Sequence, residues 1–261
     1  MKLNHTVAGP QGALPVLLVH GLYGQGRNLG AQARRLAQTR RVVTVDLRNH
    51  GDSPWDMDAG YSALAGDLAD LIGDLGGRAD VVGHSMGGKA AMALALTRPE
   101  LVRRLVVMDI APLAYDHDQT RHIDAMEALD LSAISRRSQA DAAMADGVPD
   151  PGVRAFLLQN LDLKAAPPAW TLNLSALRAA MPQIVGWPAD LPQGSFPGKV
   201  MALRGALSDY VDDDRETALR THFPQVRVVT LKDASHWLHA DAPEAVAETL
   251  VSFLGDGSEE S

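Results

Sequence analysis

Eight residues, Val81-Val82-Gly83-His84-Ser85-Met86-Gly87-Gly88, constrain what this chain can fold into more than any other stretch. They read as the end of a β-branched strand, a serine wedged between glycines, and the start of a helix rich in alanine and methionine. A Gly-x-Ser-x-Gly turn at a strand-to-helix junction holds its serine on a tight, strained bend with the hydroxyl aimed into a cleft. Glycines are required beside it because β-carbons there collide with the adjoining strand and helix. The helix that follows directs its free N–H groups and positive dipole end at negative charge developing during acyl transfer. A nucleophilic serine at Ser85 is the expectation; the alternative for so short a pattern is an ordinary structural turn.

Strand and helix signals alternate around this motif. Strands are predicted over 15–20, 41–46, 79–83 and 104–109, and helices over 27–37, from an N-cap at Ser62 to Gly76-Gly77, and from the elbow to a stop before Pro99. Such alternation implies parallel strands with crossover helices on both faces. The pattern breaks from about 113 to 190, where only helical periodicity and turn residues occur. Pro149, Pro151, Pro167, Pro168, Pro182 and Pro188 divide that stretch into short helices. It reads as a helical cap, 113–190, inserted into a core made of 1–112 and 191–255. Strand signals resume at 200–204 and 226–231, and a closing helix runs from Pro243 to Leu254. Residues 256–261 read as a solvated tail.

Composition narrows the chemistry. The chain of 261 residues has no cysteine, which removes disulfides, thiolate nucleophiles and Cys-ligated metals. Its net charge of −8, without a basic stretch, argues against nucleic acid. No apolar run is long enough to cross a bilayer, and the first residues lack a signal-peptide pattern, so a cytoplasmic location is expected.

A serine nucleophile needs a base, a group that orients the base, and donors for the oxyanion. His236, after the last predicted strand, is the candidate base, while His84 is expected to pack beside the serine. His239 lies one helical turn from His236, but no third ligand stands at metal-binding spacing. The N–H of Met86, directly after the serine, is one candidate oxyanion donor. The N–H of Leu22, presented by the turn at Gly21 after the first central strand, is the other. Two carboxylates compete for the third role: Asp109, which closes an apolar strand, and Asp209, one residue past the usual Gly-x-x-Asp spacing from Gly205, which lands on Ser208. The residues alone leave that choice open.

The chain resembles the α/β-hydrolase superfamily, and more narrowly the bacterial YbfF-type esterases. The matching stretches are 20–24, 46–53, 83–89, 108–112, 184–187, 208–211 and 235–240, which span almost the whole chain. The resemblance implies the α/β-hydrolase fold, a mostly parallel central sheet flanked by helices with an inserted helical cap. It also implies Asp109 as the acid, with Ser208 assisting the histidine, and hydrolysis of short or medium acyl esters or acyl-CoA thioesters without cofactor or metal. Met126, Leu129, Phe156, Trp170 and Trp187 are candidate linings of the acyl pocket or, equally, core of the cap.

Two decoys and a rival remain. Residues 83–89 match the first seven positions of a P-loop, but Ala90 stands where Ser or Thr must hold magnesium, and Lys89 is expected to be solvated. Gly24, Gly26 and Gly30 with Asp46 faintly suggest a dinucleotide site but miss its spacing. Arg48 is expected in a structural ion pair. The alternative from another class is a catalytically silent ligand-binding or scaffolding protein on the same fold. Oligomeric state is not legible.

Overall fold

A computed structural model of the chain describes residues 1–12, 14–116 and 119–255; the tail expected at 256–261 lies outside them. The first half runs β1 (His5–Ala8), β2 (Val16–Val19), α1 (Gly30–Leu36), β3 (Val42–Val45), α2 (Tyr61–Leu75), β4 (Ala79–His84), α3 (Met86–Thr97) and β5 (Val102–Met108). Then come α4 (Thr120–Glu127), α5 (Arg137–Met144), α6 (Pro151–Leu157), the two-residue strands β6 (Leu161–Asp162) and β7 (Ala169–Trp170), and α7 (Leu174–Val185). The chain continues with β8 (Lys199–Gly205), α8 (Asp213–His222), β9 (Arg227–Leu231), α9 (Leu238–Asp241) and α10 (Pro243–Leu254).

Seven strands form one sheet in the order β1-β3-β2-β4-β5-β8-β9, parallel throughout except for β1, which pairs antiparallel with β3. The strand period of two sorts the core. Leu17, Val19, Val81, Leu105 and Val107 pack with α2 and α3 on one face. Val16, Leu18, Val82, Val106 and Met108 pack with α1 and α10 on the other. Both faces are covered, which is why these strands read as continuous apolar runs. Among the described residues no helix is long and apolar enough to cross a membrane.

Several local expectations are corrected. The N-cap of α2 is Gly60, not Ser62, and the helix starts at Tyr61, whose hydroxyl donates to the Ile184 carbonyl at 2.6 Å. Pro182 does not divide helices but sits inside α7. A buried face of Ala176, Leu177, Ala180, Met181 and Ile184 outweighs the one hydrogen bond that proline removes. The 113–190 stretch is not purely helical, because β6 and β7 pair as a short antiparallel ribbon. The strand β1 and the helix α8 have no apolar periodicity to announce them: β1 is a largely exposed edge, and α8 buries only Leu219 and His222.

The sheet positions the site through its register. One residue past each strand, backbone pairing continues: Ser85 N–H donates to Met108 O at 3.0 Å, and Asp109 N–H to Leu203 O at 2.8 Å. Ala206 N–H donates to Leu231 O at 2.9 Å. The residues that follow β4, β5, β8 and β9 are thereby gathered at one carboxyl edge of the sheet, where open α/β sheets place their ligand sites.

Candidate active site

At Ser85 the backbone takes φ 52°, ψ −121°, a conformation L-residues rarely adopt. The flanking glycines are obligatory for a stated reason. A β-carbon on Gly83 would stand 2.3 Å from Gly87 O, and one on Gly87 would stand 2.3 Å from His20 O. The elbow thus stores local strain that β4, α3 and the β2 end jointly hold in place.

Around the serine the side chains form a connected line. His236 Nε2 lies 3.1 Å from Ser85 Oγ, and His236 Nδ1 lies 2.8 Å from Asp109 Oδ2. Asp109 is 1% exposed and also sits at positive φ, 54°. Its Oδ1 accepts from Gly205 N–H at 3.0 Å, and its Oδ2 accepts from the Ser208 hydroxyl as well as from His236. Gly205 is needed because a β-carbon there would meet the Ala234 and Ser235 carbonyls at 2.4 Å, blocking the loop that carries His236. Asp209, the competing carboxylate, is exposed, and its backbone carbonyl accepts from Arg215 at 2.8 Å. It makes no bond to His236: the turn after Gly205 brings Ser208, not its neighbour, to the imidazole side.

The loop after β2 closes on the elbow. A β-carbon on Gly21 would be 3.1 Å from the Ser85 β-carbon. Neither the Leu22 nor the Met86 N–H donates to an acceptor among the described residues. Two buried histidines shape this loop. The His50 Nε2 accepts from Tyr23 N–H at 3.2 Å, and the His20 Nε2 accepts from Leu47 N–H at 2.9 Å. Each donates its Nδ1–H to a carbonyl, of Arg48 and Gly21 respectively. Both rings are therefore neutral; burial lowers the pKa of His20 and pushes that of His50 down to about 3.

On the other side, His84 packs beside the serine as expected, and its Nε2–H donates to the His236 carbonyl at 2.8 Å. Burial holds His84 well below the ordinary histidine range and His239 down to about 4. Tyr210 stacks on the His236 ring with centroids 3.7 Å apart and planes 18° off parallel. Sequence reasoning assigned Tyr210 no role; its adjacency to Ser208 and Asp209 was the one available signal.

The serine opens into a cavity of about 230 Å³. Of the candidate linings, only Phe156 reaches it, packed edge-on against Trp237 with centroids 4.4 Å apart. Met126, Trp170 and Trp187 do not line it. Met126 is fully buried, Trp170 donates its Nε1–H to the Met126 carbonyl at 3.2 Å, and Trp187 packs between Tyr61 and His222. Helical spacing marks a buried face without telling core from cavity, and these three serve the core. Leu129 is also absent from the lining and packs against the buried core.

The decoys resolve structurally. Lys89 is not solvated: it is 1% exposed, and its ammonium donates to the Val185 and Gly186 carbonyls at 2.9 and 2.7 Å. Asp46 turns inward, where burial works against its charge, but the Gly26 and Asp52 N–H groups and the Asn4 amide hold its pKa below the usual carboxylate range. Arg48 pairs with Asp67 at 2.6 Å, as expected.

Comparisons with known proteins agree with this fold. The model of the family described as "Alpha/beta hydrolase family" matches residues 16–249. The chain is 36% identical over 263 residues to Esterase YbfF of Escherichia coli (strain K12), covering 98% of this chain and all of that protein. It is 38% identical over 264 residues to sn-1-specific diacylglycerol lipase ABHD11 of Mus musculus, covering 97% of this chain and 85% of that protein. Among solved structures, "Marine microorganism esterase" superposes with a TM-score of 0.92 at 31% identity, covering 97% of this chain and 99% of that one. With the family model spanning most of the sequence and relatives of this identity, the chain belongs to the alpha/beta hydrolase family and is a carboxylic ester hydrolase.

Proposed function

We propose that the protein cleaves small acyl esters, and acyl-CoA thioesters, through a Ser85-His236-Asp109 triad and a covalent acyl-enzyme. The observation that carries this reading is the line of hydrogen bonds from Ser85 Oγ through His236 to Asp109 beneath the cavity. His236 takes the Ser85 proton as the hydroxyl attacks the substrate carbonyl, and Asp109 holds the imidazole in the tautomer that can accept it. The tetrahedral oxyanion is stabilised by the N–H groups of Leu22 and Met86. His236 then protonates the leaving alcohol or thiol, and water, deprotonated by the same imidazole, releases the acid. In this reading residues 113–190 act as a cap over a core of 1–112 and 191–255. Asn160 supports the arrangement by bridging the 113–190 stretch to the Tyr23 carbonyl and the Gln25 amide at 2.8 and 2.7 Å.

The test is covalent labelling with a fluorophosphonate probe, followed by a chain-length series of chromogenic esters run beside acyl-CoA substrates. Labelling of the folded protein that disappears in Ser85→Ala supports the triad. A folded protein that never labels and turns over neither series returns the site to the silent binding alternative. Turnover of esters alone removes the thioesters.

A further inference from the structure

Lys89 follows Ser85 by four residues on α3, one turn further along the helix that starts at the elbow. It lines the cavity while being 1% exposed. Two of its three ammonium donors go to the Val185 and Gly186 carbonyls at the end of α7. The ammonium also lies 4.8 Å from the Tyr115 ring centre and 5.8 Å from that of Tyr61. Among the described residues no carboxylate lies within ion-pair distance of it, and no third acceptor takes its remaining donor. The two phenols present their rings to the ammonium, while the Tyr61 hydroxyl donates to Ile184 O and the Tyr115 hydroxyl to Tyr210 O. A buried cation without a counter-charge is costly, and proteins ordinarily pair it. Here the space beside it is the substrate cavity. The same cavity has an apolar side, with Leu22, Val153, Phe156, Leu157 and Trp237. Arg121, exposed on α4, adds a second cation to the lining.

We infer that Lys89 anchors an anion subsite in the cavity, so that the preferred substrates are esters bearing a carboxylate on one side of the scissile bond and an apolar group on the other. This rests on the esterase reading of Ser85. Desolvation strengthens a single ammonium–carboxylate contact, and the carboxylate supplies the counter-charge that none of the described residues provides. Burial brings Lys89 down to about 7, so it is charged below that pH and neutral above it. The titratable and charged groups lining the same cavity are Tyr61 on α2, Tyr115 after β5, Arg121 and His122 on α4, Tyr23, Tyr210, His20, His84, His236 and His239. Burial keeps the Tyr61 and Tyr115 phenols protonated, so among the groups packed directly on the ammonium it alone changes charge near neutrality.

The experiment compares matched esters. Monomethyl glutarate against its amide isostere places the carboxylate on the acyl side; butyryl glycolate against butyryl glycolamide places it on the alcohol side. The wild-type protein is expected to favour the anionic member of one pair by about tenfold to a hundredfold in kcat/KM, the size of one charge-assisted hydrogen bond. In Lys89→Met that ratio falls toward one, whatever happens to the overall rate. Lys89→Gln, which keeps a donor for the two carbonyls, serves if the methionine variant does not fold. Glutarate binding to the wild-type protein, followed by calorimetry, is expected to weaken as pH rises through about 7, and this arm needs neither turnover nor a variant. Hydrolysis of both members of each pair at equal efficiency overturns the subsite and leaves the esterase reading intact. An unchanged preference in the Lys89 variants overturns Lys89 as its anchor. Absence of any hydrolysis with no fluorophosphonate labelling defeats the esterase reading instead, and glutarate binding then judges the subsite separately.

Discussion

Asp109 shows how much one buried carboxylate can be asked to do. Its oxygens accept from a backbone N–H, a serine hydroxyl and an imidazole, so the charge is held in place by three donors rather than by solvent. Replacing it with asparagine presents His236 with an amide that can hold the wrong tautomer, and turnover of a chromogenic ester is expected to fall by about four orders of magnitude. Asp209→Asn, made at an exposed position without contact to His236, is expected to stay within about twofold of wild type, the ordinary outcome for a surface change. Equal losses in the two variants would sink the assignment of Asp109. Gly21 offers a second test. A methyl group there must displace the Ser85 or His84 side chain, which stand 3.1 and 3.0 Å from the added carbon. Gly21→Ala is expected to lower kcat by about a hundredfold to a thousandfold, as when one oxyanion donor is lost. Circular dichroism checks that it still folds; an unaltered kcat would show that the Leu22 loop has no part in the reaction. At this scale residue type and order pointed to Ser85 and His236, and the structure places them 3.1 Å apart. The sequence was not legible for Lys89, since a lysine on the first turns of a helix reads as solvated until another segment is laid over it.

At the scale of elements, β4 is pinned at its start by a buried charge cluster. Asp80, fully buried, accepts from Arg40 Nη2 at 2.7 Å and from Arg103 Nε and Nη2 at 2.8 and 2.6 Å. Arg40 continues to the carbonyls of Leu254 and Gly255, and so ties the start of β4 to the end of α10. Removing the acid leaves two guanidinium groups facing an uncharged neighbour. Asp80→Asn is therefore expected to cost about 3–5 kcal/mol, read as a lower midpoint in urea unfolding. A change under about 1 kcal/mol would mean that the cluster is solvated or compensated. Strands and helices with apolar periodicity, such as β2, β4 and α10, were legible within a residue or two. The helix α8 was not, because its stability comes from the Asp212 cap on Arg215 N–H at 2.9 Å and from the Arg220–Glu216 pair at 2.6 Å, not from a buried stripe.

Over the whole molecule, acid is the expected weakness. His20, His50, His84 and His239 are buried and neutral, with the pKa of His239 lowered to about 4 and that of His50 to about 3. In the unfolded chain each recovers the ordinary value of about 6.5, so below that pH the unfolded state binds protons that the folded state refuses. The histidine contribution to stability is complete above about pH 6.5 and is lost as pH falls toward about 4, by up to about 1.4 kcal/mol per pH unit for each histidine. Urea unfolding followed from about pH 7 to about pH 4 checks this, and a flat profile over that range would contradict it. The sequence by itself determined the layer architecture and singled out Ser85, His236 and the Gly21 loop, which the fold brings together. Those features depend on local periodicity, on glycines where side chains collide, and on chain order. Only the tertiary structure decided that Asp109 rather than Asp209 meets His236, that Phe156 reaches the cavity while Met126, Trp170 and Trp187 do not, and that Lys89 is buried beneath α7. Those outcomes depend on the register between β5 and β8 and on how residues 113–190 lie against α3, distances through space that no spacing along the chain encodes.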